Sequence, residues 1–303
     1  MFVRTGSLPP VTGLPFAARL PRISTPVPRL LVRGSMLFVL AIFIGEGIAH
    51  LVFAIGTWSL EDMDAYWAAG MRLRDGEPLY AFFHPNSNEV IRYAPWFAYA
   101  WIPLTYLPRG LVEVGWGTIL VVASAGAVAP LLRRPTPAAL ALAGLLGPFL
   151  VWTASRGNLH PLLIVALVHG VERRSGPVWI ALAASLKAVP ILFVLVYAGR
   201  RQWGRVALTV ALTAILTGHM LLFDLSNFAS DPGGSQSLLF ISPLVWAAAA
   251  GLGLAFAVIA AMLRSRYAWL GSATAVMTVL PRFFLYDLTY LLVGTKRNDA
   301  PRR

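Results

Sequence analysis

Long apolar runs separated by arginines and prolines constrain the fold of this chain more than any other feature. They cover about residues 35–56, 95–107, 111–132, 138–154, 159–171, 177–198, 205–223, 243–263 and 268–294. A helix that crosses a bilayer needs about 20 apolar residues, and a mean hydropathy of +0.68 with 13% charged residues is rare in soluble domains. We therefore predict an all-α fold, a polytopic transmembrane helical bundle with roughly eight to ten spans and no separate soluble domain.

The formal net charge of +12 does not indicate a nucleic-acid-binding protein, because the arginines stand between apolar runs. Arginine-rich loops on one side of the membrane follow the positive-inside rule, whereas a nucleic-acid binder gathers its charge on one soluble face. The chain has no cysteine, which excludes thiolate nucleophiles, disulfides and cysteine-ligated metals. The arginines in question are Arg133, Arg134, Arg173, Arg174, Arg200, Arg201, Arg205, Arg264 and Arg266.

Three regions follow from this pattern. Residues 1–35 are basic, contain six prolines and lack acids, so we predict a disordered cytoplasmic tail; a signal peptide is the weaker alternative. Residues 36–294 form the membrane domain, beginning with an uncleaved first helix, and residues 295–303 form a second basic cytoplasmic tail. With the amino terminus inside, residues 57–94 become an outer loop that holds six of the thirteen acids.

Within this acidic loop we predict an amphipathic helix that lies on the membrane surface, capped by Ser59 and continuing through Arg74. Its apolar stripe at helical spacing would be Met63, Tyr66, Trp67, Gly70 and Met71. Asp62 and Asp64 point about 200° apart on such a helix, so only one of them can face a common cleft. An aspartate there can act as a general base, or it can interact with the free amides of the first helical turn.

Several polar residues interrupt the apolar runs, and an ionisable group there is a functional candidate because its burial is costly. Lys187 is one of two lysines and suits a phosphate group, although a snorkelling or carboxylate-paired lysine is an equal alternative. If the arginine pairs are cytoplasmic, the polar residues converge on the outer side, which requires a break near Lys187 and a single net crossing over 95–132. The candidates are Arg156, Asn158, His160 and Lys187.

Four more residues near the same side stay open. Asp287 is either paired with Arg282 or part of a site, and Arg92 and Tyr93 end the acidic loop without an assigned role. We interpret Trp96 as an interfacial anchor. The histidines lack metal-ligand spacing, so we predict neither a metal site nor a cofactor. The absence of a Gly-rich phosphate loop and of a nucleophile elbow argues against nucleotide binding and serine hydrolysis.

The motifs resemble glycosyltransferase family 87, the polyprenol-phosphate-mannose-dependent mannosyltransferases with the GT-C fold. The segment from Asp62 through Tyr66 to Gly70, followed by Gly76-Glu-Pro-Leu-Tyr80, is similar to the family's pattern after the first helix. Three shorter elements agree in order and approximate spacing across residues 36–294. These are Tyr93-Ala-Pro95 with Pro103 to Pro108, Gly157-Asn158 with Leu186-Lys187-x-x-Pro190, and Pro281-Arg282 to Tyr286-Asp287.

The resemblance implies inverting transfer of a hexose, most simply mannose, from a polyprenyl-phosphate donor to a lipid or glycan acceptor. The reaction would occur at the outer face of the cell membrane, among membrane lipids. Asp62 would be the base, with Asp64 as the alternative, and Arg156 and Lys187 would bind the donor phosphate. Further substrate-binding candidates are Asn158, Tyr66, Arg92 and Tyr93, while His160, Arg282 and Asp287 are uncertain members of the site.

Two other classes of function stay open at this point. Buried cations in broken helices also suit a transporter of a lipid-linked intermediate, which would move its substrate without changing it. A shortened, non-catalytic family member could instead act as a membrane scaffold, and its function would be indifferent to the acids of the outer loop. The sequence does not indicate the oligomeric state.

Overall fold

The structure, a computed structural model, describes residues 60–80, 91–133, 136–228 and 235–296 together with the single residues 34, 45 and 49. Its helices are Glu61–Asp75 (α1), Pro95–Trp101 (α2), Arg109–Arg133 (α3), Pro137–Ser155 (α4), His160–Gly170 (α5), Gly176–Leu186 (α6), Val194–Gly199 (α7), Trp203–Gly218 (α8), Leu238–Ile241 (α9), Pro243–Met262 (α10), Ala268–Val279 (α11) and Leu291–Gly294 (α12). Turns of 3-10 helix lie at Ile102–Tyr106, Val189–Phe193, His219–Leu222 and Leu285–Tyr290. These ranges contain no strand, which confirms the all-α prediction.

Four helices in the described part of the chain are long and apolar enough to cross a membrane: Arg109–Arg133, Pro137–Ser155, Trp203–Leu222 and Pro243–Met262. Large apolar side chains on them are exposed, including Ile215 at 69% and Leu252 at 74%. A soluble domain rarely exposes such surfaces, whereas lipid covers them without cost. These helices therefore indicate a membrane protein.

The remaining apolar helices are short and broken, as the prolines predict. Helix α6 ends directly before Lys187, and the chain continues as the 3-10 turn Val189–Phe193, which contains Pro190. The run 268–294 is likewise divided between Val279 and Leu285. Non-helical backbone at membrane depth needs partners within the protein, so these breaks direct attention to the contacts around them.

Arginines of three interhelical turns meet at one end of the bundle. Arg200 pairs with Glu172 at 2.8 Å, and Arg264 donates from Nε to the carbonyl oxygen of Gly199 at 3.1 Å. Arg205 donates to the carbonyl oxygen of Arg173 at 2.5 Å. Three separate interhelical turns thus share this end, and the breaks at Lys187 and before Leu285 lie at the opposite ends of their helices.

Helix α1 confirms the predicted helix in the acidic loop but corrects two details. Its N-cap is Leu60 rather than Ser59, and the amide of Asp62 donates instead to the carbonyl oxygen of Arg156 at 3.0 Å. A backbone carbonyl of a distant turn therefore takes the place of the predicted side-chain cap. The buried face consists of Met63, Tyr66, Ala69 and Gly70, whereas Met71 is exposed at 37%.

Most residues of the two predicted tails and of the first predicted span, residues 1–56, lie outside the described residues, as do residues 297–303. The same holds for residues 81–90 of the acidic loop and for Ser59, whose predicted place as N-cap is taken by the described residue Leu60. The predictions made for these segments stay predictions.

Candidate active site

Asp62 lies where helix α1 contacts the turn between α4 and α5. Its Oδ2 accepts a hydrogen bond from Nδ2 of Asn158 at 3.2 Å, while its backbone amide binds the same turn through Arg156. Burial raises the pKa of the Asp62 carboxyl above its usual value, and the Asn158 hydrogen bond and the charges of Arg156 and Lys187 oppose that rise. The carboxylate therefore faces both cations that the sequence singled out.

Asp64 lies on another side of the same helix. It forms an ion pair with Arg109, which also pairs with Glu113 at 2.9 Å. Burial raises the pKa of Asp64 as well as that of Asp62, so titration does not separate the two carboxylates. Their partners do separate them, because Asp64 holds α1 against α3 while Asp62 lies on the turn that carries Asn158.

The turn from Arg156 to Asn158 is packed tightly beneath α1. Gly157 has φ of +75°, in the left-handed region, and a Cβ atom there would lie 2.9 Å from Cβ of Met63 and 3.1 Å from its backbone nitrogen. Its carbonyl oxygen accepts from Nε1 of Trp116 at 2.7 Å. The arginine on one side of this glycine forms an ion pair with Glu61, and the asparagine on the other side holds Asp62.

We expect Gly157→Ala to lower the stability and to disturb the site. The left-handed conformation costs an alanine about 1–2 kcal/mol, and the contact with the Met63 backbone adds to this because neither element can move away freely. Gly76→Ala is the matched control, since Gly76 also has φ of +75° but nothing lies within 4 Å of its Cβ position. Thermal unfolding in lipid nanodiscs measures both variants, and equal losses would refute the packing argument.

Lys187 lies in a buried polar network formed by three separate segments. Its Nζ donates to Oδ1 of Asp287 at 3.1 Å and lies 3.5 Å from Nδ1 of His160. His160 continues the network through Nε2, 2.7 Å from Oγ1 of Thr289, and Asp287 accepts from the amide of Phe284 at 2.9 Å. The carboxylate-paired alternative for Lys187 is therefore the one that the structure contains, and Asp287 lies in the same network as Lys187, its partner at 3.1 Å.

Aromatic rings connect this network to Asp62. The Lys187 ammonium lies 4.5 Å from the ring centre of Tyr286, whose ring centre is 4.8 Å from that of His160. On the other side, the hydroxyl of Tyr66 lies 3.3 Å from that of Tyr93 and accepts from the amide of Leu159 at 3.3 Å. Burial raises the pKa of Tyr66 well above its usual value, so this hydroxyl stays neutral.

The structure thus brings together Asp62, Tyr66, Tyr93, Arg156, Asn158, His160, Lys187 and Asp287, eight of the predicted residues. Arg282 lies within electrostatic reach of Tyr286, and Arg92 is half-buried directly before Tyr93. Sequence reasoning missed Glu61, Tyr286 and Thr289 as members of the cluster. Two of them flank Asp287 and could have been found from that neighbourhood, whereas the contact of Glu61 with Arg156 has no signal in the sequence.

Three polar residues outside the cluster have partners within the helical bundle. His169 and His219 bond to backbone carbonyl oxygens, of Gly126 at 2.9 Å and of Ile215 at 3.3 Å. Trp96, interpreted as an interfacial anchor, donates from Nε1 to Oγ of Ser185 at 3.1 Å. Its indole therefore joins α2 to α6.

Chemically, the cluster offers a half-buried carboxylate and two cations that are each paired with an acid. Arg156 pairs with Glu61, and Lys187 with Asp287. The pairs limit the net positive charge of the cluster and hold the cations in place.

Comparison with known proteins assigns part of the chain to a protein-family model. The model of glycosyltransferase family 87 matches residues 92–231, a segment that contains Tyr93, Arg156, Asn158, His160 and Lys187. Asp62 precedes this segment and Asp287 follows it. Comparisons with curated proteins and with solved structures found no match. The match to residues 92–231 confirms the resemblance to glycosyltransferase family 87 and indicates a membrane glycosyltransferase.

Proposed function

We propose that this chain transfers a hexose, mannose, from a polyprenyl-phosphate donor to a hydroxyl of a lipid or glycan acceptor, with inversion and with Asp62 as general base. The observation that carries the proposal is the position of the Asp62 carboxylate, which is half-buried and lies within electrostatic reach of both Arg156 and Lys187. Such a transfer uses a base for the acceptor proton and positive charge for the leaving phosphate.

The proposed reaction is a single displacement. The acceptor oxygen attacks the anomeric carbon while the bond from that carbon to the phosphate oxygen breaks. The electron pair leaves with the polyprenyl phosphate, and the acceptor proton passes to Asp62. Inversion follows because attack and departure occur on opposite faces of the sugar. The departing phosphate is an anion at neutral pH, so it needs positive charge nearby rather than a proton.

Asp62 is suited to the role of base by its hydrogen bonding. Asn158 fixes Oδ2, and Oδ1 has no hydrogen-bond partner among the residues that the structure describes. One oxygen would therefore orient the carboxylate while the other receives the proton. The raised pKa of Asp62 makes it a stronger base than an exposed aspartate.

The membrane arrangement supports a lipid-linked donor. The arginine-rich turns share one end of the bundle, and the positive-inside rule assigns that end to the cytoplasm. The cluster around Asp62 would then face outside in a multi-pass protein of the cell membrane. A nucleotide sugar is not expected on that side, whereas a polyprenyl phosphate presents its sugar at the membrane surface.

The proposal is tested by reconstituting the full chain in lipid nanodiscs with polyprenyl-phosphate mannose labelled in the sugar. A membrane lipid extract supplies the acceptor. An established family 87 enzyme in the same extract is the positive control, which shows whether the extract contains a usable acceptor. We expect a labelled product that depends on the chain. Movement of intact donor between leaflets without product would instead favour the transporter, and absence of both would favour the scaffold.

We also expect the transfer rate to fall with decreasing pH, with a midpoint above the usual aspartate value of 3.8. The base must be ionised, and burial raises the pKa of Asp62, so protonation removes activity at a higher pH than for an exposed carboxylate. Initial rates at saturating donor give the profile. Asp64→Asn should keep the same midpoint, and a rate that is constant down to the usual aspartate range would contradict the assignment.

A further inference from the structure

The hydrogen bonds around His160 have a defined order of donors and acceptors. Oγ1 of Thr289 donates its single proton to the carbonyl oxygen of Tyr286 at 2.7 Å. The same oxygen lies 2.7 Å from Nε2 of His160. Because a hydroxyl has one proton to give, Thr289 must accept from His160, and the Nε2 atom of His160 must carry a proton.

This assignment determines the other side of the imidazole. In the neutral ring, a protonated Nε2 leaves Nδ1 as an acceptor, and Nδ1 faces Nζ of Lys187 at 3.5 Å. A protonated Nδ1 would instead place two positive groups against each other in a site where His160 is fully buried. His160 therefore accepts from Lys187.

Two of the three ammonium protons of Lys187 then have acceptors, one on Asp287 and one on His160. The ammonium also lies over the ring of Tyr286 at 4.5 Å. The side chain of Lys187 keeps 15% of its surface exposed, whereas that of Asp287 keeps 1%. These contacts leave the third proton of Lys187 for a ligand, and the charge of Lys187 acts on Asp62.

We infer that His160 is a positioning residue for the donor phosphate: as a neutral Nε2-protonated imidazole, held by Thr289, it fixes the position of the Lys187 ammonium over the ring of Tyr286. The inference rests on the proposed function, since it takes the ligand of Lys187 to be a polyprenyl phosphate. It assigns no contact between His160 and the substrate. The backbone amide of His160 donates to Oδ1 of Asn158 at 2.8 Å, so the same residue also fixes the partner of Asp62.

The test is binding without turnover. Polyprenyl phosphate and the matching polyprenyl alcohol are titrated against the full chain in nanodiscs, for the wild type and for His160→Phe. Phenylalanine preserves the ring packing against Tyr286 and Tyr290 and the backbone bond to Asn158, but it cannot accept from Lys187. We expect the affinity for the phosphate to fall about tenfold, the effect of one hydrogen bond to a charged group, with the affinity for the alcohol unchanged.

Further variants separate positioning from folding. His160→Gln can donate to Thr289 and accept from Lys187, so it should regain most of the affinity for the phosphate. Thr289→Val removes the acceptor that fixes the tautomer and should weaken phosphate binding, while Thr289→Ser retains the hydroxyl and should not. These comparisons do not depend on the stability of a single variant.

Two results would overturn the inference: His160→Phe binding the phosphate as tightly as the wild type, or losing the phosphate and the alcohol equally, as general misfolding would. A wild-type chain without preference for the phosphate over the alcohol would overturn it too. A chain that prefers the phosphate yet transfers no sugar would refute the proposed function instead, so the two failures are distinguishable.

Discussion

Asp62→Asn is expected to lower the transfer rate by about 10²–10⁴-fold, the usual contribution of a positioned general base. Asparagine has nearly the same shape and can stay beside Asn158, but it cannot take a proton from the acceptor hydroxyl. Donor binding should change little, because Arg156 and Lys187 form their ion pairs with Glu61 and Asp287 rather than with Asp62. Initial rates with labelled donor in nanodiscs measure the effect.

Asp64→Asn is the matched control, two residues away on the same helix. It loses an ion pair with Arg109, but Arg109 keeps Glu113 at 2.9 Å. Loss of one partly exposed pair costs about 0–1 kcal/mol, so transfer should stay close to the wild-type rate. The reverse result, an active Asp62→Asn and an inactive Asp64→Asn, would transfer the role of base to Asp64.

Equal activity of both variants would carry a different meaning. A transfer reaction that needs neither carboxylate would exclude the general-base mechanism proposed for this site. If neither variant nor the wild type forms product while the family 87 enzyme does, the scaffold and transporter interpretations gain together. The two variants therefore test which aspartate is the base, and the wild type tests whether the chain transfers sugar at all.

Much of the fold could be predicted because apolar runs and prolines act locally. The break at Lys187 follows from the polar residue and Pro190 three positions later, and the helix after residue 60 follows from its apolar spacing. The convergence of Arg156, Lys187 and Asp287 was predicted only on the condition that the arginine pairs share one side of the membrane.

What could not be predicted depends on contacts between distant segments. The amide of Asp62 donates to the carbonyl oxygen of Arg156, a residue far along the chain. Local sequence rules could not predict this partner, and they indicated Ser59 as the cap instead. The pairing of Asp287 with Lys187 has the same cause, because these two residues lie 100 positions apart in the sequence. Met71 is exposed because α1 packs through Ala69 and Gly70 against α2 and the turn after it. The packing is close, since a Cβ atom added at Gly70 would lie 3.0 Å from Cβ of Trp101.

Lys187→Met is expected to be the most destabilising of the substitutions considered. Methionine retains an unbranched side chain but leaves Asp287 buried with its hydrogen bond to Phe284 and without a cation. Removing one partner of a buried ion pair costs about 3–5 kcal/mol, and the partial exposure of Lys187 favours the lower end of this range. Thermal unfolding in nanodiscs measures the loss, and transfer should be lost with it.

The double variant Lys187→Met/Asp287→Asn decides why transfer is lost. Replacing both members of a buried pair by neutral residues is often close to neutral for stability, and asparagine can still accept from the Phe284 amide. We therefore expect most of the stability to return. If Lys187 binds the donor phosphate, transfer stays absent in the double variant although its stability has returned. If transfer returns together with stability, Lys187 serves only to neutralise Asp287, and the phosphate must be held by other groups, with Arg156 as the first candidate.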